Sequence, residues 1–298
     1  MNNETKNIKY YVIENSQFKL DGGAMFGIIP KPLWEKVYTP DEKNRIDLSL
    51  RLMLIQTENK NILIDTGIGD YHPTKFNKIF NIIHKNNGTF ENILNQINLT
   101  NEDITDLVIS HLHFDHVGGI LNKDKDINFK NATIHLHQNH YEYSKNATLR
   151  DKGSFHNETI ELALNYYKDN NQIHFINNNE SEILKDNDYH LKFLISHGHT
   201  EYMIHPYDEK FIYMADLIPT SKHFSDSWVM AYDISPGVTA TEKNIFKKEI
   251  LKKNLTLIFE HDNIIIGSKL MIDENSRTVL KDNIMSEGKD IYCLNNFL

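Results

Sequence analysis

The run Ser110-His-Leu-His-Phe-Asp-His-Val-Gly-Gly119 follows directly on an apolar stretch, Ile104 to Ser110, that reads as a buried strand. Three imidazoles and a carboxylate fall between His111 and His116. A fold that buries the strand must deliver this polar string to a strand end where such groups converge. Imidazole nitrogen and carboxylate oxygen are the ligands that suit zinc and similar divalent ions. His111 and His113, two apart at a strand end, point the same way. The chain then turns, so Asp115 and His116 face a second point nearby. Ligands packed this closely imply two metal ions rather than one, with a coincidental polar loop as the competing explanation.

A dinuclear site needs further ligands from later in the chain, and apolar runs lead to them. Tyr189 to Ser196 leads to His197-Gly-His199, Phe211 to Ala215 leads to Asp216, and Leu255 to Phe259 leads to Glu260-His-Asp262. Other strands are expected at Lys9 to Ile13, Ser49 to Thr57, Asn61 to Asp65, Thr133 to His137 and Met203 to Tyr207, with a hairpin turn at Glu58-Asn-Lys60. Helices are expected at about Lys75 to His84, Phe90 to Ile97, Gln138 to Lys145, Glu158 to Lys168 and Thr239 to Lys253. The last has Glu242 near its start and lysines at its end, which suits the helix dipole. Strands dominate both halves and no linker or repeat separates them. The expectation is one α/β domain over residues 1–298, each half supplying a sheet. The segment at about 21–47, which opens Asp21-Gly-Gly-Ala-Met-Phe-Gly27, has no clear period yet is apolar. It reads as an irregular loop that is buried or covers the active site.

The balance of 32 basic against 41 acidic residues, a net charge of −9, argues against nucleic acid as a partner. The single cysteine, Cys293, allows no intrachain disulfide and no site of several thiolates, and it fits a reducing, cytoplasmic location. The amino-terminal MNNETKNIKYYVIEN lacks the pattern of a secretion signal. Apolar runs such as Leu52 to Ile55 and Ile264 to Ile266 are too short to span a bilayer, so no membrane partner is expected.

The string, with Asp65-Thr-Gly67, Ser196-His-Gly-His-Thr200, Asp216 and Glu260-His-Asp262, resembles the metallo-β-lactamase superfamily over most of the chain. His-Leu-His-Phe-Asp-His-Val-Gly-Gly is most similar to the acyl-homoserine lactonases. Phe18-Lys-Leu-Asp-Gly-Gly-Ala-Met-Phe-Gly27, Ala215-Asp-Leu-Ile-Pro-Thr220 and Ala231-Tyr-Asp233 resemble one lactonase-like branch that also has organophosphate-hydrolysing kin. The resemblance implies an αββα sandwich, two mixed β-sheets flanked by helices. It implies one metal on His111, His113 and His199, a second on Asp115, His116 and His261, and Asp216 bridging them. Asp65 would be an outer carboxylate that orients a ligand histidine, as physics expects beside a metal-bound imidazole. Zinc is the first choice of metal, with manganese, cobalt or iron as alternatives. His197 stands where relatives commonly have proline and shares a strand face with His199. Either histidine fits, and His199 is favoured because Thr200 follows it as in the family. The tyrosine that homoserine lactonases place shortly after the bridging aspartate has no match in Asp216-Leu-Ile-Pro219.

The implied chemistry is attack of a metal-bridging hydroxide on an ester or lactone, with Asp115 and Asp216 as the catalytic carboxylates. The expected substrate is a small molecule, foremost an N-acyl-homoserine lactone, whose acyl chain would suit the apolar early loop, and the role would be quorum quenching. A phosphotriester or aryl ester is the alternative. A glutathione thioester would need a basic patch that the sequence does not reveal. A metal-dependent binding module without turnover is the non-enzymatic alternative. Met25 and Phe26, with Trp34, either wall the site, pack in the core or meet a second copy in a homodimer. His223 either reaches substrate or faces solvent. His135 and His137 alternate on a strand, and they read as surface or hydrogen-bonded histidines rather than a second metal site.

Overall fold

In β1 (Lys9–Asp21) successive side chains leave by opposite faces, and both faces are buried. Tyr10 and Val12 enter one core while Tyr11 and Ile13 enter another. β2 (Arg45–Gln56) divides the same way, Met53 and Ile55 against Leu52 and Leu54, and so does β3 (Asn61–Ile64), Ile62 and Ile64 against Leu63. Strands covered on both sides carry unbroken apolar runs, which is why these segments show in the sequence. They belong to a computed structural model that describes residues 8–85 and 90–298. The first seven residues of the stretch read for a secretion signal lie outside the described residues.

The first sheet continues through β4 (Ile83–His84), β5 (Asp106–Val108), β6 (Thr133–His137) and β7 (Ile173–Ile176). Its β1–β2 and β2–β3 pairs are antiparallel, whereas β3, β5, β6 and β7 run parallel. The second sheet contains β8 (Glu182–Asp186), β9 (Tyr189–Ser196), β10 (Met203–Tyr207), β11 (Phe211–Tyr213), β12 (Thr256–Ile258), β13 (Ile265–Ile272) and β14 (Thr278–Met285), in spatial order. All its pairs are antiparallel except β11–β12. The sheets do not divide at mid-chain, because β15 (Ile291–Cys293) returns to pair with β1.

One core lies between the sheets and takes in Phe246 and Ile250 of helix Pro236–Lys253. The other lies under helices Gln138–Lys145 and Asn157–Asp169, with Tyr141, Ile160, Leu164 and Tyr167 turned onto the first sheet. Two mixed sheets flanked by helices make the αββα sandwich.

β1 runs on past Ile13 to Asp21, and β7, β8, β13 and β15 stand where no strand was expected; three further segments differ as well. The helix expected to reach His84 is Thr74–Phe80, stopped by Asn81 in a left-handed conformation (φ 46°), and residues 83–84 pair with β1 instead. The segment at 21–47 contains helices Gly22–Phe26 and Lys31–Trp34 and then the start of β2. Its Met25, Phe26 and Trp34 are buried with Phe18, Ile46, Leu48 and Met230. β14 (TVLKDNIM) has a single buried residue and is half polar, so it lacks the unbroken apolar run by which a strand such as β2 is read.

Candidate metal centre

Strand ends from both sheets supply the polar groups. His111 and His113 follow β5, and Asp115 and His116 sit in the one-turn helix Phe114–Val117. His199 follows β9, Asp216 follows β11 and His261 follows β12. The string is tied to the end of β3 by backbone contacts: Thr66 N donates to His116 O at 2.7 Å and Gly119 N donates to Gly67 O at 3.0 Å. A Cβ on Gly119 would lie 2.0 Å from Thr66 O, so the glycine after the string is what allows the two segments to pass.

Around one point stand His111 Nε2, His113 Nδ1, His199 Nε2 and Asp216 Oδ2. His113 Nδ1 is 3.1 Å from both His111 Nε2 and His199 Nε2, and Asp216 Oδ2 is 3.1 Å from His199 Nε2. Around a second stand Asp115, His116 and His261. Asp216 reaches this group too, Oδ1 lying 3.1 Å from His261 Nε2 and Oδ2 lying 3.3 Å from His116 Nε2. Asp115 is 3.9 Å from each of those imidazoles. Ligands held about 2.0–2.1 Å from a tetrahedral zinc ion stand about 3.3 Å from one another, close to these spacings. His116 Nε2 and Asp216 Oδ1 are buried without a hydrogen-bond partner, which is costly unless a cation takes their lone pairs. The two groups fit a dinuclear divalent metal site.

The outer nitrogens are held from behind. His199 Nδ1 lies 2.9 Å from Asp233 Oδ1, and His261 Nδ1 lies 2.9 Å from Ser49 O. His116 Nδ1 lies 3.0 Å from Asp65 Oδ2. Ser110 Oγ donates to the same Asp65 oxygen at 2.6 Å, leaving its lone pair toward His111 Nδ1 at 3.0 Å. Asp65 itself adopts φ 57°, a left-handed conformation that aspartate tolerates, and Ser110 N donates to its Oδ1 at 2.7 Å. Such contacts fix tautomer and ring orientation.

Burial and the facing imidazoles hold His111 and His113 well below the ordinary histidine range. Burial would likewise lower His199 and His261, but Asp216 outweighs it. Asp233 assists at His199 and Glu260 at His261, and the two rings rise to about 10 and about 9. Burial would raise Asp216, yet the imidazoles of His199, His261 and His116 keep it well below the carboxylate range. A carboxylate that stays ionised among imidazoles is set to hold cations. Burial lifts Glu260 to about 7.

Beside the centre is a cavity of about 220 Å³, with His113, Asp115, His199, Asp216 and His261 on one side. Leu20, Met25, Phe80, Phe114, Met230 and Tyr232 wall the other, and no lysine or arginine is among its described lining residues. Of the residues expected near substrate, Met25 is there but His223 and Phe26 are not. His223 is fully buried, its nitrogens spent on Thr220 Oγ1 (2.8 Å) and Met25 O (2.8 Å), and its ring stacks on Phe26. His223 and Phe26 thus stand behind Met25, where core packing was one of the expectations for Phe26, and do not line the cavity. His197 also points elsewhere, 2.8 Å from Glu201 Oε2. His135 lies between Asp106 and His174 as a hydrogen-bonded histidine. Sequence reasoning assigned no role to Ser110, Asp233, Tyr232 and Glu260, although Ala231-Tyr-Asp233 lies in a stretch that carries the resemblance. No periodic signal marks them, although Ser110 and Glu260 each sit next to a histidine that was read as a ligand.

The family model of the metallo-beta-lactamase superfamily matches residues 52–261. No curated protein matches the chain by sequence. Among solved structures, the chain is similar to a probable metal-dependent hydrolase from Staphylococcus aureus, with 26% identity, a TM-score of 0.82 and coverage of 95% of this chain and 99% of that one. It is also similar to AidC, a dizinc quorum-quenching lactonase in complex with a product, at 18% identity and a TM-score of 0.72 over 94% and 96% of the two chains. An N-acyl homoserine lactone hydrolase with N-hexanoyl-L-homoserine bound at its catalytic metal center follows, at 21% identity and a TM-score of 0.62 over 93% and 98%. The last two likenesses concern the fold.

Proposed function

The chain belongs to the metallo-β-lactamase superfamily, and from that premise we propose that it is a dinuclear metal-dependent hydrolase that opens lactone or ester bonds, foremost in N-acyl-homoserine lactones. The observation that carries the reading is Asp216, whose two oxygens face two imidazole groups at the edge of an apolar cavity. His111, His113 and His199 would hold one ion and Asp115, His116 and His261 the other, with Asp216 shared between them. Zinc suits these nitrogen and oxygen donors best. Bound ions of this kind lower the pKa of water toward neutrality and polarise a carbonyl or phosphoryl oxygen.

The rest of the chemistry falls to the chain's own groups. Asp115 lines the cavity with its carboxylate free of any direct hydrogen bond among the described residues, and so can take up a proton beside the scissile bond. Leu20, Met25, Phe80 and Phe114 exclude water and take an acyl chain. A wall without lysine or arginine favours a neutral substrate over a glutathione thioester. The aromatic rings of Phe80, Phe114 and Tyr232 give an aryl ester or phosphotriester as the second reading. The single exposed Cys293 suits a reducing cytoplasm, the net charge of −9 speaks against nucleic acid, and no described helix is long and apolar enough to cross a membrane.

Ring opening of N-hexanoyl- and N-decanoyl-homoserine lactone by zinc-reconstituted protein, followed by proton release, tests the reading beside Asp216→Asn. Turnover that disappears in the variant supports it. A zinc-loaded protein inert toward both lactones but active on an aryl ester transfers the assignment to the second reading. Inertness toward all of them overturns the hydrolase.

A further inference from the structure

Glu260 is a carboxylate behind the metal centre to which neither the family resemblance nor the mechanism gives a task. It is completely buried, and neither of its oxygens has a hydrogen-bond partner of good geometry. Its Oε2 nevertheless lies 3.1 Å from His116 Nδ1, the nitrogen that Asp65 Oδ2 approaches at 3.0 Å. Tyr213, whose hydroxyl would be a natural donor, gives its proton to Arg51 O at 2.7 Å. A buried carboxylate without its own donors is costly, and such groups persist where a site uses them.

The surroundings of Asp65 show what the use is. Its Oδ2 already accepts from Ser110 Oγ at 2.6 Å, so it is divided between Ser110 and His116. Through Ser110 it also stands behind His111, which belongs to the other ligand group. Asp65 thus serves a histidine in each group, whereas the imidazole that Glu260 approaches, His116, belongs to the second group. We infer that Glu260 is a positioning residue specific to the second ion, flanking the outer nitrogen of His116 beside Asp65 so that Nε2 stays aimed at Asp115, His261 and Asp216. Asp65, His116 and Glu260 also lie close enough to hold a cation of their own. Nδ1 of His116 is already engaged with Asp65 and its Nε2 faces the other group, so the ring has no nitrogen left for a third ion.

The inference rests on the dinuclear reading, and ion counting tests the two separately. Metal-free wild-type protein, Glu260→Gln and Asp65→Asn are titrated with Co²⁺, with calorimetric stoichiometry and the visible spectrum as readouts. Melting of each metal-free protein controls for folding. Loss of a partner behind a ligand histidine typically weakens binding by about 10–100-fold. Wild type is expected to bind two ions. Glu260→Gln should keep one step unchanged and weaken the other by about that factor, whereas Asp65→Asn should weaken both. If Glu260→Gln does not fold, Glu260→Asp, which retracts the carboxylate by one methylene, should show the same one-step loss in milder form. Two unchanged steps in the Glu260 variants overturn the inference and leave the dinuclear reading intact. Equal weakening of both steps overturns it too, since that is a general loss of structure. Three ions in wild type would make Glu260 a ligand, and fewer than two would overturn both readings.

Discussion

Arg51 and Glu14 form an ion pair in the centre of the first sheet, and neutralising one partner should be disproportionately costly. Arg51 Nη2 stands 2.9 Å from Glu14 Oε2 and Nε donates to the same oxygen at 3.0 Å, both residues being almost fully buried. Nη1 donates to Asp262 O and Ile265 O, so the guanidinium also ties β2 to the segment just past His261. Glu14→Gln keeps the volume and leaves Arg51 as a buried charge with neutral acceptors only. Breaking a buried pair on one side costs about 3–5 kcal/mol. The two carbonyl acceptors and the remaining amide oxygen place this case near the lower end, about 3 kcal/mol. For a chain of this length about 2 °C is lost per kcal/mol, so melting should fall by about 6 °C. The assay is thermal melting of metal-free protein, because bound ions would mask the change. Adding Arg51→Met removes the stranded charge and should recover part of the loss. A fall of less than about 2 °C, or a double variant less stable than Glu14→Gln alone, would refute the reasoning.

Three other outcomes are expected. Burial would raise Asp106, but hydrogen bonds from His135, Lys60 and Thr105 hold it at about 2. A depressed carboxylate adds stability that is present above its unfolded value and lost as pH falls through the folded one. Between about pH 4 and pH 2, urea midpoints of wild type should therefore fall faster than those of Asp106→Asn. A Gly119→Ala variant must move backbone by about 1 Å to clear the Thr66 carbonyl, so ion stoichiometry and melting temperature should both drop, and an unchanged pair of values would refute the tight crossing. Replacing His223 by alanine removes the contact on Met25 O and the stack on Phe26. It should raise KM for N-hexanoyl-homoserine lactone several-fold while ion content, measured in parallel, stays at the wild-type level.

The gathering of the candidate centre's histidines and aspartates was largely legible because they follow buried strands. Apolar runs such as those ending at Ser196 and Phe259 announce where a strand stops, and the residue types that follow announce the chemistry. The supports behind the ligands were less legible. Asp233 reaches His199 from a loop with no period, and the partner of His261 is a backbone carbonyl, Ser49 O, which no residue identity encodes. Arg51 sits between Leu50 and Leu52 in a mainly apolar strand, and its partner Glu14 is 37 residues away. His223 reads as a group that reaches substrate or faces solvent, and it does neither, because Thr220 and Met25 O occupy both nitrogens. Sequence patterns report burial along one element. They do not report which distant element supplies the matching donor.

The edge of β1 carries a consequence for synthesis. Two short strands from distant parts of the chain cover it, β15 along Tyr11–Ile13 and β4 at Ser16 and Gln17. Until residues 291–293 are made, Tyr11 to Ile13 offer an open row of backbone donors and acceptors, the kind of edge that recruits other strands. At about 5–20 residues per second, roughly 15–55 s separate the making of β1 from the making of β15. The last strand to emerge shields the first, so the hazard of mispairing falls on the nascent chain and ends with the closing of that edge.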